Sequence, residues 1–171
     1  NIIPVGGGKN SAVTTELLSG FRNKNMFFTV NDQPARTQCL LAAGYDESRI
    51  IKTYRTIDPN LLELNRRGYL NGHTPISAIV AVLSYYCAYL IGAENIALSN
   101  ESSANEANIG GTGVNHQYSN SYEVEKDFRD FSDGYFGLPI RYFSLLRPFN
   151  EDQIAKKFAA CPQYLKVFRS C

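Results

Sequence analysis

Apolar residues in this chain come in short blocks separated by longer mixed stretches, and the spacing predicts alternating strands and helices. Ile2-Ile3-Pro4-Val5 forms a first apolar run and Met26-Phe27-Phe28-Thr29-Val30 a second, the latter of the kind that makes a strand buried on both faces. Residues 48–54, centred on Ile50-Ile51, give a third strand; Asn95-Ile96-Ala97-Leu98-Ser99-Asn100 gives a fourth and residues 140–146 a fifth. Helical stretches lie between them. One starts at Ser11. A second follows Pro34 and runs over 35–43 to Gly44, and a third occupies 74–93 without a charged residue. From Ser119 onward Tyr122, Glu125, Phe128 and Phe131 are spaced for a helix with one packed face, ended by Gly134 and Gly137, and Asn150-Glu151-Asp152-Gln153 opens a last helix through Ala160. Asp58-Pro59 can open a short helix inside the connection 55–74. Strands alternating with helices predict parallel βαβ units. The expected fold is α/β, a doubly wound, mostly parallel five-stranded sheet with helices on both faces.

In such sheets ligands lie beyond the carboxyl ends of the strands. That rule gathers residues 6–11, 29–32, 53–55 and 100–106 into one neighbourhood. Gly6-Gly7-Gly8-Lys9-Asn10-Ser11 stands out there, because glycines admit a ligand to the main chain and the following helix N-terminus favours an anion, so phosphate is the natural guest. A Walker-type loop is excluded: Ile3 stands where its first glycine belongs and Asn10 follows Lys9. The dinucleotide pattern G-x-G-x-x-G meets Ser11 at its third glycine and fails too.

Composition narrows the class. A chain of 171 residues is long enough for one domain, read as a single nucleotide-binding domain over 1–171, and because it starts inside a core strand and stops at a cysteine it reads as a piece of a longer protein. Its formal net charge is +1 and no Lys/Arg run exceeds two residues, which leaves no footprint for nucleic acid or anionic lipid and points to a small-molecule substrate. The uncharged stretch 74–93 has the length of a membrane span, yet Pro75, Ser77, Ser84, Tyr85, Tyr86, Tyr89 and Gly92 suit hydrocarbon poorly, so it is expected to pack on the sheet. Cys39, Cys87, Cys161 and Cys171 lack paired spacing, which argues against a disulfide scaffold or zinc site and for a reducing cytoplasm.

The glycine stretch resembles the pyrophosphate loop of the ATP pyrophosphatases and adenine nucleotide alpha hydrolases, Ser-Gly-Gly-x-Asp-Ser. Gly7, Gly8, Lys9 and Ser11 match, while Gly6 replaces the serine and Asn10 the aspartate. Three further strings, Asn71-Gly72-His73-Thr74-Pro75-Ile76-Ser77, Ser99-Asn100-Glu101-Ser102-Ser103-Ala104-Asn105-Glu106 and Asn115-His116-Gln117-Tyr118-Ser119, together with the loop, look like the ATP-dependent UDP-N-acetylmuramoyl-L-alanyl-L-glutamate epimerase family of peptidoglycan-precursor synthesis. The tail Phe168-Arg169-Ser170-Cys171 looks like the start of that family's cysteine-containing C-terminal part.

The resemblance implies the adenine nucleotide alpha hydrolase-like fold, ATP and Mg2+ as cofactors, and a nucleotide-linked muramoyl dipeptide as substrate. ATP contacts are then expected at Gly6, Gly7, Gly8, Lys9, Asn10 and Ser11, with Thr29 and Asn31 from the end of the second strand. Asn10 and Glu101 are the expected metal site, His73, Glu101 and His116 the expected catalytic groups, and Asn100, Ser102, Asn105, Glu106 and Tyr118 the expected substrate contacts. Histidine is the side chain best matched to proton transfer near neutral pH. Two other readings stay open: another adenylating enzyme of the same fold, whether ligating, amidating or thiolating, and a nucleotide-binding module in which Asn10 has removed the metal chemistry.

Overall fold

The computed structural model describes residues 1–70, 76–107 and 114–169. Five strands form one sheet: β1 (Ile2–Pro4), β2 (Met26–Val30), β3 (Ile50–Thr53), β4 (Asn95–Leu98) and β5 (Arg141–Ser144), in the order β3-β2-β1-β4-β5. Every pairing is parallel, with Ile3 opposite Phe27, Val30 opposite Thr53 and Leu98 opposite Ser144. The expected doubly wound sheet is therefore present.

Among the described residues there are six α-helices: α1 (Lys9–Leu17), α2 (Pro34–Ala42), α3 (Pro59–Arg66), α4 (Ile76–Ile91), α5 (Tyr122–Tyr135) and α6 (Glu151–Ala159), of which α3 buries no residue. The side-chain alternation of a strand divides the core in two. Ile3, Phe27 and Ala97 face Val13, Leu40, Ile154 and Phe158 of α1, α2 and α6, while Ile2, Phe28, Ile96 and Tyr142 face Ala81, Tyr85 and Ala88 of α4, with Phe128 of α5 alongside. Both faces of each central strand are thus apolar, which is why the strands read as continuous hydrophobic runs.

Local signals account for most boundaries. Asp58 caps α3 by accepting from Asn60 N at 2.8 Å, Ser121 caps α5 by accepting from Val124 N at 3.3 Å, and Asn150 with Gln153 forms a capping box on α6. Three details depart from expectation. Residues 118–120 form a separate 3-10 turn, so α5 begins after Ser121. Gly134 lies inside the last turn of α5, which stops only at Gly137, where φ is +58 and the amide reaches back to Ser132 O. Finally, α4 is packed on one side only. Val82, Tyr86, Tyr89 and Leu90 form an outward stripe, Leu90 60 % exposed, because the inner stripe Ala81, Tyr85 and Ala88 is all that the sheet can cover. Among the described residues no helix is long and apolar enough to cross a membrane. Cys39 and Cys87 are buried and free, Cys161 is free and part-exposed, and Cys171 lies outside the described residues.

Candidate functional site

The sheet order reverses between β1 and β4, because α1 leaves β1 toward one edge and the chain later returns to pair β4 on the other side of β1. This is the switch point at which doubly wound sheets bind ligands. The loop after β1 and the segment after β4 meet there.

The three glycines differ in what they do. A Cβ on Gly6 would meet nothing within 4 Å, so this residue fronts open space. Gly7 has φ +84, and a Cβ would sit 3.3 Å from the backbone nitrogen of Arg36, so the left-handed turn and the close approach of α2 both require glycine. Gly8 is the N-cap of α1, and its absent Cβ leaves room for the carbonyl of Arg169, which would be 3.2 Å away. The first intrahelical bond is Ala12 N to Gly8 O at 3.2 Å. The amides of Lys9, Asn10 and Ser11 therefore precede the helical ladder, and no acidic residue in the first turn neutralises them.

Asn10 projects across the switch point. Its Nδ2 donates to Ser99 O at 3.3 Å and to Glu101 Oε2 at 3.1 Å, while Thr14 Oγ1 donates to Ser99 Oγ at 2.9 Å. Both neighbours of Asn10 are acceptors, which fixes the NH2 side of the amide toward them. Burial pushes the Glu101 carboxyl up, the Asn10 hydrogen bond opposes that, and the nearby Glu151 charge adds to it. Glu151, the first residue of α6, pairs with Lys9 Nζ at 2.5 Å, which holds the Glu151 carboxyl below its ordinary value.

Beside the loop, on the β2 side, lies a cavity of about 370 Å³ floored by Val5, Gly6, Phe28 and Val30 and walled by Ile76 and Val80. Its polar rim is Asn31, Gln33, Arg36 and Arg55. Arg36 Nη1 donates to Val30 O at 2.5 Å and Asn31 O at 2.9 Å, and the Nε atoms of Arg36 and Arg55 are buried without a hydrogen-bond partner among the described residues. Asn31 adopts φ +51 and clamps Arg55 in both directions, Nδ2 to Arg55 O at 2.9 Å and Arg55 N to Oδ1 at 2.5 Å. It shapes the rim with its side chain already committed. Thr29 is buried, with no partner for its hydroxyl among the described residues.

On the β4 side, Arg147 organises the polar strings. Its Nη1 donates to Glu101 O at 2.9 Å, and its Nη2 to Asn120 O at 3.1 Å and Glu125 Oε2 at 2.8 Å. Asn115 Nδ2 donates to Ala104 O at 2.8 Å, and Tyr122 N to Asn105 Oδ1 at 2.7 Å, so the string carrying His116 lies against the one carrying Glu101. Ser77 Oγ, at the start of α4, reaches Ser119 Oγ at 3.1 Å and Asn120 Oδ1 at 3.2 Å. The described end of the first string thus reaches the third. His73 itself lies outside the described residues. His116 is exposed on the turn before Tyr118, and Asn105, Asn115, Tyr118 and Tyr122 share the wall of a cavity of about 510 Å³ with Arg147. Ser102 and Asn105 spend their polar groups on backbone, Ser102 Oγ donating to Phe149 O at 3.0 Å and Asn105 Nδ2 to Ser102 O at 3.1 Å. Asn100 lines a small space with Glu125 and Tyr142, and Glu106 is exposed.

Sequence reasoning missed Arg36, Arg147, Glu151 and Arg169, and placed Arg55 in the ligand neighbourhood without a role. One of them left a signal: Arg36 stands in the first turn of α2, where the helix dipole disfavours a cation, so another demand holds it there.

A family model described as the MurL N-terminal domain matches residues 1–145. The chain belongs to this family. The MurL N-terminal domain match agrees with whole-chain comparisons. A UDP-N-acetyl-alpha-D-muramoyl-L-alanyl-L-glutamate epimerase of Xanthomonas oryzae pv. oryzae is 34% identical over 172 residues, covering 99% of this chain and 38% of that protein. The protein of the same name from Salinispora tropica is 37% identical over 169 residues, covering 98% and 36%. The chain therefore spans under two fifths of the length of these curated relatives. Among solved structures, a predicted subunit of tRNA methyltransferase from Methanocaldococcus jannaschii superposes with a TM-score of 0.50 at 12% identity, over 92% of this chain and 75% of that one, which shows a shared fold.

Proposed function

We propose that this MurL N-terminal domain binds ATP and serves, in a longer chain, the epimerisation of the terminal L-glutamate of UDP-N-acetylmuramoyl-L-alanyl-L-glutamate. The observation that carries the reading is the junction of Gly6–Gly8 with α1. Its uncapped amides face the switch point between a cavity of about 370 Å³ and the Asn10–Glu101 pair. An adenosine fits the apolar floor of that cavity, and Gln33, Arg36 and Arg55 line its polar rim. The names of the relatives support the acceptor.

The chemistry explains the need for ATP. Removing the α-hydrogen beside a free carboxylate creates a second negative charge next to the first. Attack of the carboxylate oxygen on the α-phosphorus expels pyrophosphate and leaves a neutral acyl group whose α-proton a base can take; reprotonation on the opposite face inverts the carbon, and hydrolysis returns the carboxylate and AMP. The amides of Lys9, Asn10 and Ser11 hold the polyphosphate, with Lys9 adding charge. Glu101, its carboxyl pushed up by burial, can hold a proton at the switch point, and His116 and His73 are the further acid/base groups. Magnesium, when bound, would be held by Glu101 as the carboxylate, in place of its proton and of the Asn10 NH2 group, with the Asn10 amide turning its oxygen toward the ion, and would stabilise charge on the leaving pyrophosphate. One protein carboxylate suits an ion that takes its other ligands from phosphate and water.

A second reading, a nucleotide-binding module without metal chemistry, is favoured by one observation: the Asn10 amide already satisfies both Ser99 O and Glu101.

Gly6 supplies the test. It lines the cavity, and its backbone leaves room for a Cβ, so Gly6→Val projects a branched side chain into the nucleotide space. Titration calorimetry should show ATP binding to the native chain and its loss in Gly6→Val at an unchanged melting temperature. Equal affinities would remove the nucleotide from this cavity. Formation of AMP and D-glutamate from the dipeptide precursor, measured in a full-length protein carrying this domain, tests the reaction.

A further inference from the structure

The chain beyond α6 comes back to the glycine loop. Pro162–Tyr164 makes one 3-10 turn, Tyr164 is buried, and its hydroxyl donates to Glu16 Oε1 of α1 at 2.5 Å while Gln163 Nε2 donates to the same oxygen at 3.0 Å. Val167 and Phe168 pack against the core, the Phe168 ring edge-on to Phe158 at 4.8 Å. Held in this way, Arg169 donates its backbone N–H to Gly7 O at 2.9 Å, and its carbonyl occupies the space left by the missing Cβ of Gly8.

The sequence pattern implies a ligand contact at each of the three glycines. At Gly8 the chain's own tail makes the close approach instead, so this glycine serves the docking of Arg169. That docking fixes the backbone of a cation whose side chain is exposed and has no hydrogen-bond or ion-pair partner among the described residues. Lys9, the loop's own cation, is already paired with Glu151. A cation whose backbone is seated on Gly7 and Gly8, at a helix start whose first turn holds no acidic residue, is placed to reach a phosphate bound at that turn. The guanidinium fork matches two phosphate oxygens at once.

We propose that Arg169 is a phosphate-contacting residue of the ATP site, placed there by the tail segment that seats its backbone on Gly7 and Gly8. This rests on the nucleotide reading above and deepens it: the tail, which lies beyond residues 1–145, completes the polyphosphate end of the site. Arg169 recognises the β- and γ-phosphates rather than the nucleoside.

The test compares ATP, AMP, adenosine and inorganic tripolyphosphate by calorimetry on the native chain, Arg169→Ala and Arg169→Lys. Arg169→Ala should weaken ATP and tripolyphosphate about tenfold, the size expected for losing one charge-assisted contact. AMP and adenosine should stay within about twofold, and the melting temperature should not move because the side chain supports nothing else. Arg169→Lys should recover part of the loss, and the salt dependence of ATP binding should fall in the alanine variant. ATP affinity unchanged in Arg169→Ala, or lost equally for AMP, overturns the assignment while leaving the nucleotide site standing. Binding of tripolyphosphate that depends on Arg169, without any gain from the adenosine of ATP, keeps the assignment and sinks the nucleotide reading.

Discussion

At the scale of single residues, position 10 decides the electrostatics of the switch point. Asn10 faces a carbonyl and a carboxylate, so its amide supplies the positive end that a cation would supply beside an aspartate. Asn10→Asp should therefore cost about 1–3 kcal/mol in chelator, through repulsion and lost donors, and millimolar magnesium should restore the variant while leaving the native chain unaffected. Urea melts with and without the metal decide this; identical responses would take position 10 out of any metal site. Glu101 gives a pH signature. Its folded pKa lies above the ordinary value of 4.5, so the folded chain binds that proton more tightly than the unfolded one. The stability this contributes is present at pH below 4.5 and is lost as pH rises through the folded value. Glu101→Gln keeps an acceptor oxygen for Asn10 but cannot ionise. Its melting temperature should match the native one in acid and exceed it progressively above pH 4.5, and parallel profiles would show that Glu101 is not desolvated.

At the scale of elements, the glycine loop and the Arg147 hub are the two joints. Gly7→Ala should cost about 1–2 kcal/mol for its left-handed turn against α2, while Gly6→Ala should be within about 0.5 kcal/mol of native by denaturant unfolding. Equal costs would mean that the turn is not strained at Gly7. Arg147 joins the ends of β4 and β5 to the start of α5 and balances Glu125, whose side chain is 4% exposed. Arg147→Met should cost about 3 kcal/mol by leaving that carboxylate with only Arg129, 3.4 Å away, and adding Glu125→Gln should recover most of the loss. Chemical denaturation of the single and double variants measures the cycle, and an additive result would show that the pair is not coupled.

At the scale of the whole molecule, the outward stripe of α4 is the feature that the sheet leaves unfinished. Val82, Tyr86, Tyr89 and Leu90 follow helical spacing on an element without a charge, and the relatives that match this chain are more than twice its length. Tyr86→Lys with Leu90→Lys should change stability by no more than about 0.5 kcal/mol per site while lowering apolar dye binding and concentration-dependent association in sedimentation. A large loss of stability would show that the stripe is core.

The hydrophobic blocks of the sequence determined the five strands, the helices between them and the parallel, doubly wound sheet, because burial on both faces writes itself as a continuous apolar run and helix starts carry their own caps, as at Asp58, Ser121 and Asn150. The glycine loop was legible for the same reason: a turn at φ +84 between a strand and a helix admits little else than glycine. Only the tertiary structure decided what these residues meet. That Asn10 donates to Glu101, that Arg147 gathers the polar strings, that α4 is covered on one side only, and that the tail lays Arg169 across Gly8 all depend on contacts between segments distant in the chain, 91 residues apart for Asn10 and Glu101 and 46 for Arg147 and Glu101. Local spacing carries no record of such contacts, since each is made by strand order and by the return of the chain after α6.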